Sequence, residues 1–354
     1  MYLTMPPPGL PFHQQQPTRR VLRFLPRVVG WGAVLALLIF VWIAHLRPAL
    51  HDRAGIRAAR ELAAILLPAT HVPSPRLRIL QHTHRAHGGI ETASAITHAA
   101  YAAAHGYTHE MDTRNYVGDD AGLGERMMNK AHSMARGLES ELAKPLGAEW
   151  ILWSDADTVI VDPAIPAHLL LPPQAEAMLS AAQDHNGMNA GVMLLRVHET
   201  SVRALRTVIE LYEAHPDPGK RSDQPFWGVM LRSNPDLAAH FYKMPKNWLN
   251  AYWLDEVDEG PVLQIHHVNW LKEVPFTPAI RPAVAVAKEA RGRARERGES
   301  GNGFELMPQW RDAQEAAREW WVSTGGGIDN MRFLDEEDGV YDAAGALVEP
   351  FVDR

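Results

Sequence analysis

The segment AEWILWSDADTVIVDP, residues 148–163, constrains the fold more than any other part of the chain. Trp150 to Trp153 are four apolar residues in a row, with no alternation toward polar ones. A strand that is apolar on both faces needs cover on both sides, which places it inside a helix-covered sheet. Two carboxylates, Asp155 and Asp157, follow one residue apart. On a continuing strand they would share a face, and charge buried there is costly unless a cation meets it. Ligands of open α/β sheets bind beyond the carboxyl ends of strands, and Asp155 and Asp157 stand at such an end.

The flanking sequence repeats the pattern. LRILQHT, YTHEMD, AGVMLLRV and PVLQIHHV read as further strands. ETASAITHAAYAAAHG reads as a helix stopped by Gly106, and GERMMNKAHSMARGLESELA as a second one. Two more helices are predicted from about Glu199 to His215 and from Asp223 to Arg232. Such alternation is that of an α/β domain with a mostly parallel central sheet. We place that domain at 76–282, with 47–75 as a helical stem ending in a Pro-rich linker. The charged run AKEARGRARERGES opens a C-terminal extension, 283–354, read as peripheral.

Residues 1–27 are a Pro/Gln-rich and then basic tail, followed by Val28 to Leu46, a run of 19 residues without Asp, Glu, Lys or Arg. That length spans a ~30 Å hydrocarbon core as a helix. Arg19, Arg20, Arg23 and Arg27 precede it, so the positive-inside rule puts the tail in the cytosol. The expectation is a single-pass type II anchor with the large C-terminal part in the lumen.

Composition removes several classes. With 46% hydrophobic and 22% charged residues the chain is globular. A net charge of -7 argues against a nucleic-acid-binding surface. The absence of cysteine excludes disulfides, thiol catalysis and thiolate zinc sites. There is no Asn-x-Ser/Thr sequon.

Asp155 and Asp157 then have three readings. One caps a turn while the other is solvated. Together they hold Mn²⁺ or Mg²⁺ with few protein ligands, leaving positions for diphosphate oxygens. Or SDADTVIV is the first motif of a haloacid-dehalogenase-type phosphatase, a membrane-anchored phosphohydrolase with Asp155 as nucleophile. A phosphatase of that class usually opens its domain on this strand, whereas here some eighty residues of α/β pattern precede it.

What surrounds the motif resembles glycosyltransferase family 34, which includes fungal α-1,2-galactosyltransferases, α-1,6-mannosyltransferases and plant xyloglucan xylosyltransferases. The resemblance runs over roughly 76–275. It is carried by AAYAAAHGYTHEMDT, by NKAHSMARGLESELAKPLGAEWILWSDADTVIVDP, by NGMNAGVMLLR, and by SDQ at 222–224. The chain departs from the family at HHVN, where the family has H-F-x-G, and at Met128, where it has Trp.

The resemblance implies a GT-A fold and a retaining, metal-dependent hexosyltransferase of the Golgi membrane. UDP-galactose or GDP-mannose is the favoured donor and a glycan the acceptor, with complexes among Golgi glycosyltransferases as further partners. It implies Asp155 and Asp157 as metal ligands with His266 or His267, and Lys130 and Lys272 as donor-phosphate contacts. Asn189, Ala190 and Gly191 would approach the donor sugar, and Asp223 and Gln224 would face the anomeric carbon. A helix cap is the ordinary alternative for Asp223. Trp248, Tyr252 and Trp253 are candidates for stacking on the acceptor, with core packing as their alternative. A catalytically silent glycan-binding protein is the non-enzymatic alternative.

Overall fold

The structure, a computed structural model, describes residues 47–66, 76–84, 89–184, 187–214, 223–252, 261–266, 277–299, 301–323, 332–335, 339–342 and 347–349. The expected tail and anchor, His267 and Lys272 lie outside the described residues, as does Trp253. Among the described residues no helix is long and apolar enough to cross a membrane. The chain divides after Leu50 into two units, and nearly everything described belongs to the second.

In chain order the elements are α1 (Arg47–Leu66), β1 (Leu77–His82), α2 (Gly89–His105), β2 (Thr108–Asp112), α3 (Leu123–Met127), α4 (Asn129–Leu142), β3 (Trp150–Ser154) and β4 (Thr158–Ile160). They continue with β5 (Leu179–Asp184), β6 (Gly187–Arg196), α5 (Glu199–Ala214), α6 (Gln224–Ser233), α7 (Pro235–Ala238), β7 (Phe241–Lys243), α8 (Lys246–Leu249) and β8 (Gln264–His266). The last are α9 (Thr277–Glu296), α10 (Pro308–Ser323), β9 (Arg332–Asp335), β10 (Gly339–Asp342) and β11 (Leu347–Glu349).

Six strands form the central sheet in the order β2-β1-β3-β6-β5-β7. β1 pairs in parallel with β2 and β3, and β5 with β7. β6 is antiparallel to both β3 and β5. All strands but β6 therefore run one way, and the start of β6 lies at the edge where the others end. β2, β3 and β5 end in Asp112, Ser154 and Asp184, so one edge of the sheet gathers the turns that carry acidic residues.

β3 is buried at every residue, as its double-faced apolar sequence requires. Ile151 and Trp153 pack with Met134 and Leu138 of α4, Leu205 of α5 and Trp227 of α6. Trp150 and Leu152 face the other layer, with Tyr101 of α2, Trp248 of α8 and Trp321 of α10. α4 lies so close to the sheet that a Cβ at Gly137 would fall 2.5 Å from Leu80 Cδ2. Gly106 takes φ 68°, the left-handed conformation with which glycine ends a helix, and stops α2 as expected.

Two features differ from the sequence expectation. The helix expected over 124–143 is two, α3 and α4, meeting at Met128. The expected domain limit at 282 falls inside α9. Ile280, Ala283, Val284, Ala287 and Ala290 are buried there with Ala59, Leu62 and Leu66 of α1. The segments expected as stem and extension thus pack on each other and share one apolar cluster with Val159 and Val161.

Buried imidazoles give stability a defined pH dependence. Burial holds His105, His109 and His168 down at about 4. Above pH ~6.5 they are neutral folded or unfolded. As pH falls toward 4, the unfolded chain takes up protons the folded one refuses, and stability is lost. Asp162 acts the other way. Burial pushes its carboxyl up to about 7 against the opposing Ala164 N–H bond, so its contribution is lost as pH rises through 7. Three groups outweigh one, and the melting temperature is expected to fall on acidification from pH 6.5 to 4.5. Asp162→Asn should raise the melting temperature above pH 7 and steepen the acid fall. A profile that is flat, or that rises toward acid, overturns this balance.

Candidate active site

β3 ends at Ser154, and Asp155 to Asp157 form a turn rather than two more strand residues. The Asp155 N–H extends the β3–β6 ladder one step, donating to the Gly191 carbonyl at 2.8 Å. The Asp155 carbonyl accepts from the Thr158 N–H at 3.2 Å and from the Thr158 hydroxyl at 2.8 Å, which closes the turn. Chain direction then changes, and β4 leaves the sheet to pair with β8. The two aspartates are thus placed by a turn, and strand alternation does not decide where they face.

Among the described residues, a cation that meets Asp155 is Lys130, at the start of α4. Its Nζ lies 2.8 Å from Asp223 Oδ1 and 3.6 Å from Asp155 Oδ2. Burial alone would lower the Lys130 pKa, but Asp155, Asp223 and Asp157 outweigh it and hold the ammonium charged well above its usual range. Asp223 is fully buried, whereas Asp155 keeps 22% of its side chain exposed. Two indoles complete the arrangement. Trp153 Nε1 donates to Asp155 Oδ1 at 3.1 Å, and Trp227 Nε1 to Asp223 Oδ2 at 3.2 Å.

Asp223 stands at the N-terminus of α6, yet its side chain makes no capping bond. Its carboxylate turns instead to Lys130 and Trp227, so the cap alternative fails. Gln224, the first residue of α6, is half-buried. Four expected residues, Lys130, Asp155, Asp157 and Asp223, therefore form one cluster of three carboxylates and one ammonium.

Asn189, Ala190 and Gly191 occupy the start of β6 at the same edge. Asn189 Oδ1 accepts the Gly191 N–H at 2.7 Å, and Asn189 Nδ2 donates to Asp184 Oδ2 at 2.7 Å. Tyr252 joins them, accepting from Asn189 Nδ2 at 2.8 Å and donating its hydroxyl to Asp184. A chain of hydrogen bonds thus runs from Tyr252 and Asp184 through Asn189 and Gly191 to Asp155. Asp184 was not expected from sequence, and only its place at a strand end beside an Asn-rich turn could have marked it. Of the aromatic candidates, Trp248 is buried against Trp320 and Trp321 and belongs to the core.

His266 is placed by backbone register opposite Thr158, one residue beyond Asp157. Among the described residues no three His, Cys, Asp or Glu side chains close on one point as a metal cage. Asp155 and Asp157 nevertheless offer the hard oxygen donors that Mn²⁺ or Mg²⁺ prefers.

No protein-family model matches the sequence, and no curated protein matches it. Several solved structures are similar in part. One is a glycosyltransferase involved in glycosylation of the major capsid of PBCV-1, at 14% identity and TM-score 0.47, covering 56% of this chain and 100% of that one. Another is the apo-form glycosyltransferase GlyE of Streptococcus pneumoniae TIGR4, at 13% identity and TM-score 0.40, covering 62% of this chain and 64% of that one. A third is mouse xyloside xylosyltransferase 1, apo form, at 16% identity and TM-score 0.33, covering 62% and 94%. At such identities and TM-scores these likenesses are resemblances of structure and carry no conclusion about activity.

Proposed function

We propose that this chain transfers a hexose from a nucleotide-diphosphate sugar to a glycan acceptor, with retention at the anomeric carbon. The observation that carries the reading is the Lys130 cluster. It joins the D-x-D turn to the Asp223 helix start at the carboxyl edge of the sheet, with Lys130 2.8 Å from Asp223 and 3.6 Å from Asp155. Asp155 and Asp157 would hold Mn²⁺ or Mg²⁺, with His266 or His267 as the downstream ligand. The bound cation supplies charge neutralisation for a departing diphosphate.

The chain's own groups then have distinct tasks. Lys130 and Trp227 fix the Asp223 carboxylate, which is fully buried, so of the pair it is the half-buried Gln224 that would face the developing oxocarbenium centre. Asn189, Ala190 and Gly191 present a small, hydrogen-bonded edge that a sugar can approach closely. Lys272 is a further diphosphate contact in this reading. UDP-galactose and GDP-mannose are the donors we favour, and a lumenal setting behind the Val28–Leu46 anchor is part of the same proposal. The phosphatase reading fits less well, because β1, α2, β2 and α4 precede Asp155, whereas a phosphatase of that class opens its domain on this strand.

The test is a donor screen on a fragment beginning at Arg47, which keeps α1 in the core. Binding and slow hydrolysis of one UDP- or GDP-sugar are expected, dependent on Mn²⁺ and lost in Asp155→Ala. The reading is wrong if no nucleotide sugar binds with or without metal, or if a phosphoaspartate accumulates at Asp155.

A further inference from the structure

Beneath the Asp155–Asp157 turn lies a set of buried polar side chains from separate segments. Gln81, in β1, donates to Ser94 Oγ of α2 at 2.8 Å and to the Asp155 carbonyl at 3.4 Å. His109 Nε2 lies 2.9 Å from Gln81 Oε1. His98, one turn on from Ser94, places Nδ1 2.9 Å from the Ser94 carbonyl and Nε2 2.8 Å from Gln264 Oε1. Gln264 Nε2 donates to Ser154 Oγ at 3.1 Å. Gln81, Ser94, His98, Ser154, Thr158 and Gln264 are all 0% exposed.

Burying so many polar groups is tolerable only when they satisfy one another, and a satisfied network admits few arrangements. What it fixes is the β4–β8 ribbon, a part of the site that lies outside the main sheet. Among the described residues β4 and β8 pair over three residues, Thr158 with His266, Val159 with Ile265 and Ile160 with Gln264, and the Val161 N–H adds one bond to the Leu263 carbonyl at 2.9 Å. A two-stranded ladder that short is marginal by itself, and a slip of one residue would turn the strand over. Gln264 ties β8 through Ser154 to the end of β3 and through His98 to α2.

We infer that Gln264 and His98 are positioning residues that lock the register of β8, and with it His266, against the Asp155–Asp157 turn. The inference rests on the reading of that turn as a divalent-cation site, but the lock itself can be tested without metal. In the full chain, Gln264→Met keeps shape and removes the hydrogen bonds. Amide exchange at Thr158–Ile160 is expected to quicken about tenfold or more in metal-free protein. Binding of Mn²⁺ alone, followed by the electron paramagnetic resonance of the free ion, should weaken about 10–100-fold.

Thr97→Val is the structural control. It removes another buried hydroxyl of α2, bonded to the Ser94 carbonyl at 3.0 Å, and both readouts should stay at the parent value. If Gln264→Met does not fold, Ser154→Ala removes one hydroxyl of the same network and reads the same two quantities. Unchanged exchange at β4 overturns the lock. Faster exchange with no Mn²⁺ binding by the parent protein keeps the lock and overturns the metal reading. Faster exchange with unchanged Mn²⁺ affinity shows that the lock does not serve the cation site, and that too overturns the inference.

Discussion

Lys130→Met should cost about 3–5 kcal/mol of stability, the largest loss we expect from any single change at the site. Asp223 is fully buried, and its Oδ1 has Lys130 Nζ at 2.8 Å. Removing the ammonium strands a fully buried carboxylate, with the Trp227 indole alone among the described residues still donating to it. The expected rescue comes from Asp223, not Asp155. In Lys130→Met with Asp223→Asn the buried charge is gone, and the Asn oxygen can still accept from Trp227, so most of the loss should return. Asp155 needs no such rescue, because its carboxylate keeps contact with solvent. Urea unfolding of the two single variants and the double variant gives the coupling directly. If the double variant is as unstable as Lys130→Met alone, the buried charge is not what Lys130 holds in place.

Where the fold was legible, one residue pattern decided it. The unbroken apolar run of β3 requires cover on both faces, and the structure supplies it, with Ile151 and Trp153 on one layer and Trp150 and Leu152 on the other. Gly106 ended its helix for the ordinary conformational reason. The charged run after residue 283 misled, although Ala283, Ala287, Ala290 and Ala294 recur at helical spacing and are all buried. That small-residue face was the readable sign of a packed helix, hidden by the arginines on the other side.

At the site, the D-x-D turn was marked by its own sequence, whereas Lys130 and Asp223 were marked only by the family resemblance. Trp227 could have been added, since it stands one helical turn from Asp223. Gln264 and His98 could not. They are separated by 166 residues and meet only because β8 returns to the turn after the sheet is complete. Asp184 and Tyr252 meet across 68 residues for the same kind of reason. No periodicity marks such contacts, because topology makes them and local propensity does not.

Asp155→Asn is expected to show the opposite profile from Lys130→Met, and the pair together separates architecture from chemistry. The substitution keeps the oxygen that accepts from Trp153 Nε1 and leaves the backbone bonds to Gly191 and Thr158 untouched. Lys130 keeps its closer partner, Asp223, at 2.8 Å, while the distance it loses is the longer one, 3.6 Å. The melting temperature should therefore stay within a few degrees of the parent. Metal-dependent donor hydrolysis should nonetheless fall about 10³-fold, ~4 kcal/mol of lost stabilisation, because one of the two carboxylates proposed to hold the cation has become a neutral amide. Mn²⁺ titration of the rate provides the check. A rate restored at high Mn²⁺ places the loss in cation binding. A folded Asp155→Asn protein with the parent's rate and metal dependence would show that the D-x-D turn does not hold the cation, and the proposed reaction would lose its central support.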